Sequence, residues 1–415
     1  MGAVFSSNHE RLLSRRRETK DYLWMVVRES PRGNMPCSHL FFLLCFRTLG
    51  TFLRESLMQA QDELKVLKER FDAKIGAYFD AAIEKAEKED ALVAEALRYS
   101  RTLVLSGGKR LRAAFMYYGY IADNGTQEEQ IVDAAISIEF IHAFLLMHDD
   151  IIDRDDLRHG VTTLHRYYAD MGKQFFPDKD TEHFGNSMGI IIGDMLGAFG
   201  NDIIFRSDFP LELKFQALSK LQDIVSYTVI GQARDVYMEY KGEATEEEIL
   251  SMYRNKTAKY TVEGPLHLGG ILAGAPQALL DGFTAYAIPL GVAFQIQDDI
   301  LGLYGSAEHI GKPVGSDIQE GKITLLVSRA LRDGTREQQA SIKTILALGE
   351  RFTERDGEEF RELIRVTGAL AGTQELAQAY IQEGKESLEK IREQLHPRAY
   401  DFLLSIAEYM TKREY

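Results

Sequence analysis

Two apolar, helix-periodic stretches of this chain each end in a cluster of aspartates, and that pairing limits the possible folds more than any other feature. The first cluster, His148-Asp149-Asp150-Ile151-Ile152-Asp153, follows the apolar run at 138–147. The second, Gln297-Asp298-Asp299-Ile300-Leu301-Gly302, follows another at 288–296. Carboxylates at the end of a core-facing helix are costly to desolvate unless a cation sits between them. At about 100° per residue, His142, Asp149 and Asp153 fall within ~40° of one another and form one stripe. Two such stripes facing each other across a bundle would hold several hard divalent ions, with positions open to phosphate oxygens. Solvated acidic helix ends are the plainer reading. The apolar flanks and the repetition of the pattern weigh against it.

At 415 residues and 45% hydrophobic, the chain can bury a large core. Length alone suggests two or three domains, yet there are only nine prolines and no Ser/Gly-rich linker to divide it. A formal charge of −14 argues against a nucleic-acid partner. Small anions remain acceptable, because a local basic patch can outweigh the global sign. Cys37 and Cys45 are the only cysteines, so from residue 58 onward there is no disulfide framework, thiol nucleophile or zinc–thiolate site.

Residues 1–57 differ from the rest: they are rich in Lys and Arg and hold the only tryptophan, Trp24. Their apolar stretch at 39–46 is too short to span a bilayer, and no tidy cleavage pattern follows it. The opening Met1-Gly2-Ala3-Val4-Phe5-Ser6 formally matches a myristoylation pattern, a match that chance often produces. The region is read as an atypical, disordered extension, 1–57, ahead of one domain, 58–415. The expected protein is cytoplasmic, with no stable membrane insertion.

From about residue 60 the pattern is helical almost throughout, with apolar residues at three- and four-residue spacing in 64–89, 131–147, 215–240, 285–302 and 376–395. No run alternates as a strand would. Turn signals fall between the runs, among them Gly107-Gly108, Asp123-Asn124-Gly125, Gly242, Gly274-Ala275-Pro276 and Gly311-Lys312-Pro313. Thr245 followed by Glu248 is a capping box. The polar and aromatic segment 171–186 is read as an inserted loop. The expected fold is all-α: a single-domain bundle of ten or more helices around a central cavity.

Basic residues gather near the aspartate helices. The run Gly107-Gly108-Lys109-Arg110-Leu111-Arg112 opens a helix with free amides and three cations, which suits a diphosphate. Arg158-His159-Gly160 follows the first cluster, Lys256-Thr257 is read as the start of another helix, and Lys312 and Lys322 flank glycine turns after the second cluster. Each alone reads as a surface residue; their joint placement is informative.

With these motifs the chain resembles the trans-isoprenyl diphosphate synthases, the polyprenyl synthetase family. The matching segments run in order: GGKRLR at 107–112, HDDIID at 148–153 with Arg158-His159-Gly160 after it, GQARD at 231–235, KTAKYT at 256–261, FQIQDDILG at 294–302 and GKPVGSDIQEGKITLLV at 311–327. The resemblance implies the isoprenoid synthase type I fold and a homodimer. It implies that Lys109, Arg112 and His142 hold isopentenyl diphosphate. An allylic diphosphate would bind through Mg²⁺, three ions per site, on Asp149, Asp153 and Asp298, with Arg158, Lys256 and Lys322 on its oxygens. Thr257, Gln295, Asp299, Lys312 and Asp235 would complete the pocket, and Asp150 would belong to the catalytic cluster. The implied product is geranylgeranyl diphosphate, near C20. In short-chain members an aromatic residue five positions before the first aspartate floors the product tunnel, and Phe144 stands there. By helical geometry Leu145 and Leu146 lie more directly beneath the carboxylates.

The sequence departs from the family pattern in three places. His159 stands where a second arginine is usual and helps hold isopentenyl diphosphate; Gly302 stands where many members have a third aspartate; and Val161-Thr162-Thr163 replaces a commoner Lys-Pro-Thr. Alternatives are a farnesyl or longer-chain synthase, or a non-catalytic subunit of a heteromeric synthase, though such subunits typically lose their aspartate clusters. A terpene cyclase would need a hydroxyl residue in the second motif that Asp298 to Gly302 lacks. A di-iron carboxylate site would use Glu139 with His142, but its sole partner motif, Glu393 with His396, reads as solvent-facing.

Overall fold

A computed structural model describes residues 37–305 and 316–411. The chain divides into two units, Met1–Arg54 and Glu55–Tyr415. Helix α1 spans Cys37–Glu87, so the domain boundary read at residue 57 falls inside a helix. Residues 1–36 lie outside the described ones. The helices that follow are α2 (Ala91–Leu105), α3 (Leu111–Ala122), α4 (Glu128–Ile152), α5 (Leu164–Phe175), α6 (Thr181–Arg206), α7 (Leu211–Lys241) and α8 (Glu246–Tyr253). After a π-helical segment, Arg254–Glu263, come α9 (Gly264–Ala273), α10 (Gln277–Tyr304) and α11 (Ser316–Glu320). The chain closes with α12 (Leu325–Asp333), α13 (Arg336–Leu346), α14 (Glu354–Val366), α15 (Ala369–Lys390) and α16 (Pro397–Thr411). The all-α bundle expected from the sequence is the fold observed.

Local chemistry sets the helix ends. The Asp90 carboxylate accepts the amides of Leu92 and Val93 to start α2, and the Thr245–Glu248 capping box starts α8 as its spacing predicts. Gly242 and Gly274 end α7 and α9 in the left-handed region that favours glycine. Two apolar cores result. The larger gathers Phe71 and Phe79 of α1, Phe115 of α3, Phe140 of α4, Leu266 of α9, Phe283 of α10 and Leu403 of α16, all fully buried. The smaller surrounds the second half of α10, where Ile296 and Ile300 meet Tyr253, Leu325 and Phe360. Helices α4, α6 and α10 are long and apolar enough to cross a membrane, yet at least half of each apolar window is buried in this packing (67%, 50% and 67%).

Three local expectations are corrected. The segment read as a loop at 171–186 is mostly helical: α5 runs to Phe175 and α6 starts at Thr181. Asp180 caps α6 by accepting the His183 amide at 3.0 Å, and Phe184 packs edge-on against Phe176 and Tyr168, so the aromatic residues join the two helices. A short hairpin, β1 (Leu157–Arg158) and β2 (Val161–Thr162), stands where no strand is expected. Its two turn residues, His159 (φ 50°) and Gly160 (φ 76°), are both left-handed, the geometry that matches strand twist. Lys256 and Thr257 do not begin a helix: they lie in the π-helical segment of a continuous helical stretch from α8 to α9. Such widened turns are rare and cluster at functional sites.

Candidate active site

Four elements converge on the first aspartate cluster: the end of α4, the middle of α7, the π-helical segment and the loop between α11 and α12. Gln232 of α7 donates to Asp149 at 2.8 Å, and Lys322 donates to Asp153 at 3.1 Å. The expected stripe therefore faces partners from distant parts of the chain. Asp150, one residue on, is rotated by about 100° and is buried against Arg158, whose Nε donates to it at 2.6 Å. Burial pushes the Asp150 carboxyl up to about 6 against the pull of Arg158. Arg158 also reaches Asp155 at 3.3 Å, and the β1–β2 hairpin holds it there. Asp150 thus orients a cation beside the stripe.

On α10, Asp299 is buried and accepts from the Tyr253 hydroxyl and from Gln295 Nε2, the latter at 2.9 Å. Burial pushes its carboxyl up to about 8. Thr257 donates to Gln295 Oε1 at 2.6 Å, which links the π-helical segment to α10. Lys256 donates to Asp235 of α7 at 2.6 Å. Burial alone would lower its pKa, but the charges of Asp235 and Asp149 raise it, so the ammonium is kept. Gly231 is required here, because a Cβ would lie 2.4 Å from the Lys256 backbone nitrogen. Asp298 is half-buried on the same helix. Beside Gly302, a Cβ would come within 2.8 Å of the Asp317 carboxylate, so a side chain from α11 occupies the ground of the missing third aspartate. Lys322 also lies 2.6 Å from Glu320 and 3.7 Å from Asp317, and this carboxylate cage raises its pKa well above the usual value despite burial. Lys312 lies outside the described residues.

A second cluster of polar side chains adjoins the first stripe. Arg112 donates to His142 Nε2 at 3.2 Å and to Thr261 at 3.0 Å, and its guanidinium sits 4.3 Å from the centre of the Tyr260 ring. Burial and the Arg112 charge hold His142 well below its usual pKa, so it is neutral. Three buried polar atoms here, Arg112 Nε, His142 Nδ1 and the Tyr260 hydroxyl, have no hydrogen-bond partner. Buried polar groups are rarely left so, and all three can donate when His142 accepts at Nε2. Lys109 is exposed and lies 5.0 Å above the Tyr409 ring. His159 packs its ring where a Gly107 Cβ would stand, 2.6 Å away. By contrast Arg110, from the same basic run, is buried in a structural role, bonded to Asp72 at 2.7 Å and Glu139 at 3.4 Å. Glu139 is thereby taken, and also accepts the Ala113 amide at 3.1 Å, which removes it from any pairing with His142.

One turn before the carboxylates, the Phe144 ring faces a notch on α6, lying 3.3 Å from where a Gly197 Cβ would be and edge-on to His148. Leu145 and Leu146 are half-buried on α4. A recess of about 470 Å³ between α1 and α2 lies apart from these groups; its lining charges pair among themselves, as Arg101 does with Asp80 at 3.1 Å.

Sequence reasoning missed Gln232, Tyr253, Tyr260 and Glu320. All but Tyr253 sit inside quoted motifs, so their positions were visible, but Gln232 meets Asp149 and Tyr260 meets Arg112 only across many residues of chain. Among the described residues no three His, Cys, Asp or Glu side chains converge as a ready metal cage. The donor set nonetheless fits a hard divalent ion: carboxylate oxygens on α4 and α10, one or two for each ion, with remaining positions left to water and phosphate.

The polyprenyl synthetase family model matches residues 92–364. Over 363 residues the chain is 32% identical to a geranylgeranyl diphosphate synthase of Methanosarcina mazei, covering 86% of this chain and 99% of that one. It is 30% identical over 331 residues to a geranylfarnesyl diphosphate synthase of Natronomonas pharaonis, covering 76% and 89%. Among solved structures, the geranylgeranyl pyrophosphate synthase of Corynebacterium glutamicum, complexed with isoprenyl diphosphate and magnesium, superposes with a TM-score of 0.79 at 32% identity, over 84% of this chain and 99% of that one.

Proposed function

We propose, from the premise that this chain belongs to the polyprenyl synthetase family, that it condenses isopentenyl diphosphate head-to-tail with an allylic diphosphate to give an all-trans prenyl diphosphate near C20. The observation that carries this reading is the adjacency of two unlike anion sites. One is a carboxylate stripe caged with Lys256 and Lys322; the other is a cluster around Arg112 and His142 whose Arg112 Nε and His142 Nδ1 lack partners. When bound on Asp149, Asp153 and Asp298, Mg²⁺, three ions in the family pattern, would neutralise the diphosphate's charge.

The residues divide the work. Lys256, Lys322 and Arg158 face the allylic diphosphate and stabilise the negative charge that grows as its C–O bond breaks. Arg112, His142 and Lys109 hold isopentenyl diphosphate, with His159 beside the Gly107 turn. Its double bond attacks the allylic carbon, a C–C bond forms, and a proton leaves to the departed diphosphate. Thr257, Gln295 and Asp299 keep the second stripe in register. The apolar chain grows past Leu145 toward Phe144.

The exposed apolar side chains of Ile191, Phe205, Phe215, Ile230 and Tyr237 on α6 and α7 support a homodimer formed through these helices. Sedimentation of the purified chain tests it: a dimer is expected, and Phe215→Glu with Ile230→Glu should give monomer. A parent that is monomeric at micromolar concentration contradicts it. The chain length is tested by incubation with isopentenyl diphosphate, Mg²⁺ and C5, C10 or C15 allylic starters. A C20 product is expected, and C30 or longer defeats the length reading.

A further inference from the structure

Tyr253 ends α8 with its ring fully buried, and its single hydroxyl has two partners on different elements. It donates to a carboxylate oxygen of Asp299 on α10, and it accepts the backbone N–H of Leu325, the first residue of α12, at 3.0 Å. Lys256 follows Tyr253 within one turn, Asp298 precedes Asp299, and Lys322 lies just ahead of Leu325. One oxygen atom therefore joins the three segments that carry Lys256, Asp298 and Lys322. The cluster built from Arg112 and His142 belongs to α3 and α4 and has no hydrogen bond to this hydroxyl.

We propose that Tyr253 is a positioning residue for the allylic half of the site, its buried hydroxyl holding the second carboxylate stripe, the Lys256 segment and the Lys322 loop in one register. The proposal rests on the functional reading above and adds a residue that touches no substrate. Deleting the hydroxyl leaves the ring in place, strips Asp299 of one donor and leaves the Leu325 amide buried without an acceptor. Asp299 keeps the Gln295 donor at 2.9 Å, so the stripe loosens without coming apart.

Tyr253→Phe is the test, with Tyr286→Phe as its structural control. Tyr286 is equally buried on α10 and donates to the Leu403 carbonyl at 2.7 Å, far from the lysines in the bonding network. We expect Tyr253→Phe to raise KM for the allylic diphosphate at least about fivefold and lower kcat about tenfold, leaving KM for isopentenyl diphosphate within about twofold. Tyr286→Phe should lower the melting temperature without separating the two substrates. Equal effects of Tyr253→Phe on both KM values, no effect on either, or the same separation in Tyr286→Phe would overturn the proposal. A parent chain that condenses nothing would instead defeat the functional reading. Calorimetry with Mg²⁺ and inorganic diphosphate then decides the positioning role: weaker binding by Tyr253→Phe supports it, and unchanged affinity overturns it.

Discussion

Asp149 and Asp150 are neighbours in sequence with opposite tasks. The first turns toward Gln232 and the lysine-lined site; the second is buried on Arg158. In the proposed reaction, removing the Asp149 carboxylate removes charge compensation needed chiefly in the transition state. Asp149→Ala or Asp153→Ala should therefore cut kcat by about 10³ or more in a steady-state assay, and near-normal turnover in either would sink the metal reading. His159 carries a second residue-scale expectation. Burial, then Arg158 and Arg110, hold its pKa below the usual 6.5, so the imidazole is uncharged at pH 8. An arginine there is charged at every pH, while bound diphosphate draws a proton onto the histidine as pH falls. His159→Arg should lower KM for isopentenyl diphosphate at pH 8 and do so less at pH 6. Equal values for mutant and parent at both pH values would show that the side chain does not reach the substrate. The stripe itself was legible in the sequence, since helical spacing alone aligns His142, Asp149 and Asp153. The roles of Tyr253 and Gln232 were not, because their partners are set by tertiary packing.

At the scale of elements, close helix crossings locate the site. Helices α3 and α9 meet through Gly119 and Gly269; a Cβ on Gly269 would lie 1.9 Å from the Met116 carbonyl oxygen, a backbone atom that cannot swing aside. Gly269→Ala should destabilise the fold by about 3 kcal/mol, the upper part of the range for overpacking, measured by urea unfolding. A loss under about 0.5 kcal/mol, the level of an indifferent surface change, would mean that the crossing opens freely. On the proposed reading the α4–α6 crossing bears on product length, because Gly197 leaves the notch that Phe144 faces. Phe144→Ala should lengthen the product by one or more C5 units, since a growing chain fills the apolar volume that opens. An unchanged product distribution moves the floor to another residue. Helix existence was readable from period and caps, as the Thr245–Glu248 box illustrates. The π-helical turn at Lys256 was not, because apolar spacing there also fits an ordinary helix. Nor was the helical character of 171–186, whose aromatic residues pair only once α5 and α6 fold together.

For the whole molecule, the all-α class and the family were legible because six motifs occur in one order, and the match over residues 92–364 agrees. What composition could not convey is how an acidic chain gathers buried cations around its aspartates. The net charge of −14 is distributed so that Lys256, Lys322, Arg158 and Arg112 are buried or half-buried within the bundle. Carboxylates raise the pKa of both lysines, which keeps them cationic where desolvation alone would discharge them. The most direct measurement is to incubate the purified chain with isopentenyl diphosphate and farnesyl diphosphate, with and without Mg²⁺, and to follow diphosphate release and product size together. One diphosphate released for each C5 unit added, a C20 product and no turnover without the metal are expected. Diphosphate release without chain extension, or extension that persists under a chelator, would contradict the account.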